Sequence, residues 1–406
     1  MRIAVFTDFH PDSLGGIQTS ITAQVNAFRR LGHRVCVFTA PLGRRDEPDS
    51  DTVVLPELRA ASRVAHIASK VDQYRFVAPS NRNIETTTRE LTRRGPFDIA
   101  HIHSSFGVAV IGIRAARACG VPVVQTMHSR DDAFFEQTSP FPLVGPVLLG
   151  LALRRYLEYP PRVTVAGDSR SAAVSWHSMA AQAHAADHVV APTEHFARRL
   201  RAHGVTRPLT VVSNGVDDAL VDAARAASES PPGIGLRAVY LGRLSAEKRV
   251  REAVDAVTRV PGVTLDLYGD GDLQPALERL AAERGRADDV RCHGRVPHLD
   301  ALCALAAADI ALVNSFDFDT QCVVLLEATA VGTPVVYCDP DLAESLAPGG
   351  GVCTADSSTG ALAHELRRLA ADRRAVTAMS DAQRAAWDAP RQSRVTERLL
   401  DVYRSL

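Results

Sequence analysis

Arg2-Ile3-Ala4-Val5-Phe6 is followed by apolar Ile17, Ile21, Val25, Phe28 and Leu31 up to Gly32, and then by Val35-Cys36-Val37-Phe38. The first and last runs are short, apolar and β-rich, while the middle residues recur at helical spacing, with Gly32 as the helix stop. Strand, helix, strand is the repeating unit of a parallel sheet covered by helices. The same alternation predicts strands over residues 99–103, 121–126, 188–191 and 209–212. A run of Ala, Ser, Pro and Gly at residues 223–235 marks a linker, after which strands are expected over residues 237–241, 264–268, 290–293, 310–314 and 334–337. The expected architecture is α/β: two Rossmann-like, doubly wound parallel-sheet domains, residues 1–222 and 236–385, facing across a cleft. Ligands of such sheets sit at the carboxyl ends of the strands. The tail is broken at Pro390 and resumes as a helix with Val395, Leu399, Val402 and Leu406 on one face, so residues 386–406 are expected to pack back on the first domain.

Composition narrows the function. At 406 residues, 46% hydrophobic and 23% charged with a net charge of −1, the chain is an ordinary globular protein and lacks the basic surplus of a nucleic-acid binder. Its seven cysteines are scattered without a C-x-x-C pair, which suggests neither a disulfide framework nor a zinc site and fits a reducing cytoplasm. The amino terminus enters a strand pattern without the regions of a signal peptide, so a cytoplasmic location is expected. The longest apolar stretch, residues 141–153, is interrupted by Pro142, Gly145, Pro146 and Gly150 and is too short to span a bilayer. Arg154 and Arg155 follow it. The segment 141–155 therefore either lies on an anionic membrane, at its inner face, or packs under the domain surface with solvated arginines.

Chemistry concentrates in Asp319-Thr320-Gln321-Cys322-Val323-Val324-Leu325-Leu326-Glu327. Residues 320–322 read as loop, and the apolar residues after them as a helix ended by Gly332 and Pro334. Free N–H groups at the helix start attract an anion, and the carboxylates of Asp319 and Glu327 can grip hydroxyls on either side of it. A nucleotide-sugar presents that pattern of phosphate flanked by hydroxyls. A buried helix with a solvated Asp and a capping Glu is the plainer alternative.

Other groups fall at strand ends. Arg243 and Lys248 follow the strand at residues 237–241 and suit a pyrophosphate leaving group; a surface pair of either cation with Glu247 is the alternative. Gly269 in Tyr268-Gly269-Asp270-Gly271, and Val296 in Gly294-Arg295-Val296-Pro297, lie in turns that let backbone reach a nucleotide base or simply make the turn. Gly15-Gly16 resembles a phosphate-binding turn without the full dinucleotide fingerprint, and a plain tight turn explains it equally well. His101 and His103 alternate along a strand and share a face, and His128 closes the next strand. No third ligand at fixed spacing supports a metal, so His128 is expected to touch substrate, with His101 and His103 structural or lining an acceptor pocket.

In the same order along the chain, Gly15-Gly16, Pro122 to His128, Val212-Ser213-Asn214-Gly215-Val216-Asp217, Leu241-Gly242-Arg243 with Lys248, Tyr268 to Gly271, and Asp319 to Glu327 resemble the retaining family-4 glycosyltransferases of the GT-B fold. The resemblance implies metal-independent transfer of a sugar, without any cofactor, from a nucleotide diphosphate donor bound by the second domain to an acceptor bound by the first. It assigns the pyrophosphate to Arg243 and Lys248, the ribose hydroxyls to Glu327, and the donor sugar to Asp319 and His128. The distal phosphate falls to the amides near Cys322 and Val323, with Gly16 closing its loop over the phosphates; Gly15, His101 and His103 fall on the acceptor side. The family usually has Glu where Asp319 stands and Gly where Cys322 stands, which predicts reduced rather than absent activity. Thr320-Gln321, His101-Ile102-His103, His128-Ser129 and Ala191-Pro192-Thr193-Glu194 look most like the branch that glycosylates diacylglycerol, and Gly15-Gly16-Ile17-Gln18 is similar to phosphatidylinositol mannosyltransferases. A lipid or glycolipid acceptor follows from that likeness, with UDP-glucose against GDP-mannose left open. A soluble small-molecule or polysaccharide acceptor, and a non-catalytic nucleotide-sugar-binding protein, are the competing expectations.

Overall fold

The computed structural model describes residues 1–13, 15–42, 50–58, 75–227 and 235–406. They form two compact units: Met1–Ser213 with Val395–Leu406, and Asn214–Arg394. The first unit holds β1 (Arg2–Thr7), β2 (Arg34–Thr39), β3 (Thr52–Val54), β4 (Ile99–Ile102), β5 (Val123–Thr126), β6 (His188–Ala191) and β7 (Leu209–Val211). Their order is β3-β2-β1-β4-β5-β6-β7, all parallel. The second unit holds β8 (Leu236–Leu241), β9 (Val263–Tyr268), β10 (Val290–Gly294), β11 (Ile310–Val313), β12 (Val335–Tyr337) and β13 (Gly351–Cys353). These run β10-β9-β8-β11-β12-β13, again all parallel. Each sheet is Rossmann-like, and its winding reverses at one place, between β1 and β4 in the first unit and between β8 and β11 in the second. There the carboxyl ends of adjacent strands splay apart and leave room for ligand.

Both faces of each sheet are covered, as an all-parallel sheet requires. In β1, Ala4 and Phe6 pack toward Phe38, Ile102 and the helix Gly107–Ala118, whereas Ile3 and Val5 pack with Ile21, Phe28 and the carboxyl-terminal helix. Strand period two thus splits one short run between two cores. The helix Gln392–Arg404 buries Val395, Leu399, Leu400, Val402 and Tyr403 in the second of these cores, while Leu406, expected on that face, stays exposed.

Residues 214–222, expected in the first domain, belong to the second unit, because Val216 and Val221 are buried with Leu326 and Ala330 of its own core. Of the expected linker, residues 223–227 end the helix Asp218–Ala227 and residues 228–234 lie outside the described residues.

Candidate functional site

In the second unit the chain leaves β8 through Gly242 into Arg243 and a short turn, Ala246–Lys248, and leaves β11 into Asn314, Ser315 and Asp319. The two exits flank the reversal of winding. Lys248 Nζ lies 2.6 Å from Asp319 Oδ1, and Ser315 Oγ donates to Asp319 Oδ2 at 2.6 Å. The Lys248 ammonium also stands 5.1 Å from the centre of the Phe318 ring. Burial pushes the Asp319 carboxyl up, but the charge and hydrogen bond of Lys248, with Ser315 and Arg243, outweigh it and hold the group below the usual carboxylate range. Arg243 pairs with Glu247 at 2.9 Å, and Ser245 donates to the same carboxylate at 2.7 Å. Lys248, unlike Arg243, is held by the predicted motif carboxylate and not by Glu247.

After Asp319 the loop is pinned by Gln321, whose Oε1 accepts from the amide and side chain of Asn214, both at 2.9 Å. This gives the Asn214-Gly215 turn a role in setting the motif. The helix Val323–Val331 then starts with Cys322 at its cap, which makes no side-chain capping hydrogen bond, and stops at Gly332 in the left-handed region (φ 82°). Cys322 has φ −80°, so the backbone there does not need glycine. Its thiol packs into the apolar cluster of Tyr337 and Leu342, and burial pushes it up to about 12, with the Asp319 carboxylate adding to the rise. It stays a neutral thiol. Val323, first in the helix, is half-buried, and Glu327 is buried one turn on.

Glu327 Oε1 is 2.7 Å from His298 Nε2. Burial lowers the His298 imidazole, but its bond to Glu327, with the charges of Glu327 and Asp217, raises it above its ordinary value. His298 opens the helix His298–Ala307 directly after the turn containing Val296, which is half-buried. Gly269, at φ 135°, donates to Gly294 O at 2.8 Å, and a Cβ on it would meet Gly242 O at 2.0 Å. The β8, β9 and β10 exits thus pack backbone on backbone, which only glycine allows. The strand-end glycines are thereby explained by packing of the loops themselves.

In the first unit the exit of β1 carries the Asp8 carboxylate, those of β4 and β5 carry uncharged imidazoles, and beyond β5 Arg130 and Asp132 form a buried ion pair at 2.7 Å. His101 is fully buried; its Nε2 is 2.7 Å from Thr126 Oγ1 and its Nδ1 is 2.6 Å from Tyr403 Oη. Both ring nitrogens are engaged inside the unit, so His101 ties strand to terminal helix and presents no atom to an acceptor. His103 is 1% exposed, its ring centre 3.8 Å from that of His101, and its Nδ1 lies 2.9 Å from His128 Nε2. Burial holds His101 and His103 well below the ordinary imidazole range, and lowers half-buried His128 to about 4. Beside His128, burial pushes the Asp131 carboxyl up to about 7, opposed by a hydrogen bond from Ser129.

Asp8, directly after β1, accepts from Ser104 Oγ at 2.6 Å and from the amides of Phe106, Val108 and Ala109 at 3.1, 2.7 and 3.4 Å. It occupies the start of the helix Gly107–Ala118 with its own carboxylate. Gly15 (φ 153°) precedes Gly16, the exposed first residue of the helix Gly16–Arg30. Among the described residues no three His, Cys, Asp or Glu side chains are grouped to hold a metal ion.

The segment 141–155 includes the helix Val144–Leu153. Pro146, Gly150 and Leu153 face inward, Tyr159 donating to Gly150 O at 3.2 Å, whereas Val144, Val147, Leu148 and Leu151 are exposed, as is Phe141 before them at 71%. Arg154 and Arg155 are exposed at its end. Among the described residues no helix is long and apolar enough to cross a membrane.

Reading the sequence missed Ser315, His298, Asp8 and Tyr403. Asp8 closes the first strand at its ligand-facing end and Tyr403 lies one turn beyond Leu399, so both carried a positional signal. The partners of Ser315 and His298 lie 4 and 29 residues away, with no local pattern to reveal them.

Tandem doubly wound sheets, with cations and a carboxylate at the reversal of the second and a helix start beside them, are an arrangement suited to a nucleotide-diphosphate-sugar. The family model Glycosyltransferase Family 4 matches residues 14–220, and Glycosyl transferases group 1 matches residues 235–372. The chain belongs to glycosyltransferase family 4, has the GT-B fold and is an enzyme of the hexosyltransferase class. It is similar to alpha-monoglucosyldiacylglycerol synthase of Streptococcus pneumoniae, 22% identical over 83% of this chain and 70% of that protein. It is also similar to phosphatidyl-myo-inositol mannosyltransferase of Mycobacterium tuberculosis, 24% identical over 84% of this chain and 78% of that protein. Among solved structures, sucrose-phosphate synthase from Thermosynechococcus elongatus superposes with a TM-score of 0.74 over 100% of this chain and 98% of that one, at 17% identity, and speaks to the fold alone.

Proposed function

We propose that the enzyme transfers a hexose, with retention and without a metal, from UDP-glucose or GDP-mannose to a lipid or glycolipid acceptor at a membrane surface. On the donor side, Lys248 and Arg243 take the pyrophosphate and stabilise the departing charge, a task for which pre-placed cations are suited. The first amides of the helix Val323–Val331 bind the distal phosphate and Glu327 the ribose hydroxyls. Asp319 and His128 hold the sugar. Gly16, Gly269 and Val296 contribute backbone near phosphates and base. Donor binding requires Lys248 and Arg243 to exchange some of their present contacts for phosphate oxygens.

The observation that carries the lipid reading is the exposed apolar face of Phe141, Val144, Val147, Leu148 and Leu151 ending in Arg154 and Arg155. A patch of this kind, rimmed by cations, suits the boundary of an anionic bilayer. The lipid acceptors named for the two similar enzymes support it. On this reading the protein works at the cytoplasmic face of a membrane. The test is transfer by purified protein from UDP-glucose and GDP-mannose into a mixed lipid extract, with and without chelator, and the anomeric configuration of the product read by NMR. The expected result is chelator-resistant transfer from one donor into lipid with retention; turnover onto a soluble acceptor alone, or donor binding without turnover, would overturn it.

A further inference from the structure

The His103–His128 contact fixes where a proton sits. His103 follows β4 and continues its ladder, its amide donating to Phe6 O at 2.9 Å. The rings of His103 and His128 lie edge to edge, their planes 23° apart and their centres 5.2 Å apart, joined by the 2.9 Å contact of His103 Nδ1 with His128 Nε2. Among the described residues His103 Nε2 is buried without a hydrogen-bond partner. Burial keeps both imidazoles neutral near pH 7, so each ring carries one proton and the contact shares one of them. Were His128 the donor, the His103 proton would sit on Nε2 as a buried N–H with no acceptor. With His103 as donor, Nε2 is instead a bare lone pair. An orphaned buried N–H is the rarer arrangement, and leaving any buried donor unpaired carries its full desolvation penalty.

We infer that His103 is a positioning residue for His128: its Nδ1–H donates to His128 Nε2, locking the His128 ring with its own proton on Nδ1. His101, anchored by Thr126 and Tyr403, backs the His103 ring and keeps it in place. His128 is therefore a hydrogen-bond donor through Nδ1 and not a base through Nε2, suited to an oxygen of the donor sugar. The catalytic consequence rests on the reading that His128 touches that sugar.

The full chain labelled with 15N-histidine, at pH 7, reports the tautomer by long-range proton–nitrogen spectra. His128 is expected with a bare Nε2 and a protonated Nδ1; a protonated Nε2 overturns the assignment. In H103N the amide Nδ2 overlays the lost Nδ1 and still donates, so the tautomer should be kept, and kcat/KM for the donor held within about threefold. H103F removes the donor, and kcat/KM for the donor is expected to fall about tenfold, the loss of one hydrogen bond. Unchanged kcat/KM in folded H103F, alongside loss of transfer in H128A, overturns the positioning role alone. Undiminished transfer in H128A overturns the donor-contact reading instead, and the spectrum of the wild type still decides the hydrogen bond.

Discussion

The two units share a winding pattern and differ in what they place where it reverses. In the second unit the β8 and β11 exits carry ion pairs, Lys248 with Asp319 at 2.6 Å and Arg243 with Glu247 at 2.9 Å. In the first, the β4 and β5 exits carry uncharged, closely packed imidazoles, and the charges beside them, Asp8 on three amides and Arg130 with Asp132 at 2.7 Å, are buried in bonds within the unit. The cations of the second unit, Arg243 and Lys248, stay partly exposed, whereas Arg130 of the first is buried in its ion pair and the groups beside it are neutral imidazoles. The same backbone plan thus yields two chemistries, decided by a few residues just past the strand ends.

The largest effect that sharpens this contrast is expected from K248A. Removing a pre-placed cation from a developing oxyanion lowers kcat by about 100- to 1000-fold, and steady-state transfer assays check it. A rate within threefold of wild type would mean that the charge of the second unit is structural.

Acid should separate the units next. His101 and His103 are held well below 6.5 and His128 is lowered from 6.5 to about 4, so the unfolded imidazoles take up protons before the folded ones. Their contribution is full above pH 6.5 and is lost as pH falls toward about 4. His298 has the opposite sign: raised in the fold, its contribution is present below 6.5 and lost as pH rises through the raised value. Asp319, held below 3.8, keeps its contribution down to that value and loses it only in stronger acid. Trp176 reports the first unit and Trp387 the second, the two tryptophans of the chain. Asp131, raised to about 7, and Asp8, also raised, gain stability as pH falls toward 3.8 and partly offset the three imidazoles. With the imidazoles prevailing, the Trp176 fluorescence transition in single-tryptophan variants is expected at higher pH than that of Trp387.

Charging the exposed apolar helix face is predicted to act on membranes alone. L148D should weaken sedimentation with anionic vesicles about tenfold or more, the worth of one buried leucine, while hydrolysis of the donor in the absence of lipid stays at the wild-type rate. A smaller effect is expected of Y403F, which leaves His101 Nδ1 unpaired inside the first unit. A loss of about 1–3 kcal/mol in the Trp176 transition, with nucleotide affinity unchanged, is the expected result by denaturant titration. D319E, lengthening the one carboxylate that departs from the family, should change transfer by no more than about threefold and upward, since Lys248 and Ser315 reach the longer side chain by small rotations; abolished transfer would make the short reach a determinant of donor choice.

Most of the sheet plan was legible because buried parallel strands are apolar runs that helical spacing separates. The exceptions are instructive. β3 and β13, three residues each at sheet edges, were not predicted, although β7, equally short and also at an edge, was. The unit boundary was misplaced by the composition shift, since Val216 and Val221 choose their unit by packing against Leu326 and Ala330, about a hundred residues on. In the site, Asp319, Lys248 and Glu327 were each visible as chemistry at a helix start or strand end, yet their present partners were not. Lys248 meets Asp319 across 71 residues and Tyr403 meets His101 across 302. Sequence proximity holds no trace of such pairs, because the winding of the sheet and the return of the last helix create them.

The most direct test of the division between partly exposed cations in one unit and imidazoles in the other is titration calorimetry of UDP and GDP, and of UDP-glucose and GDP-mannose, into wild type, K248A and H128A. K248A is expected to lose at least about tenfold in affinity for the preferred free nucleotide, and H128A to bind that nucleotide as wild type does while losing affinity for its sugar conjugate. Nucleotide affinity unchanged in K248A and reduced in H128A would contradict the account, placing the anion site in the first unit rather than the second.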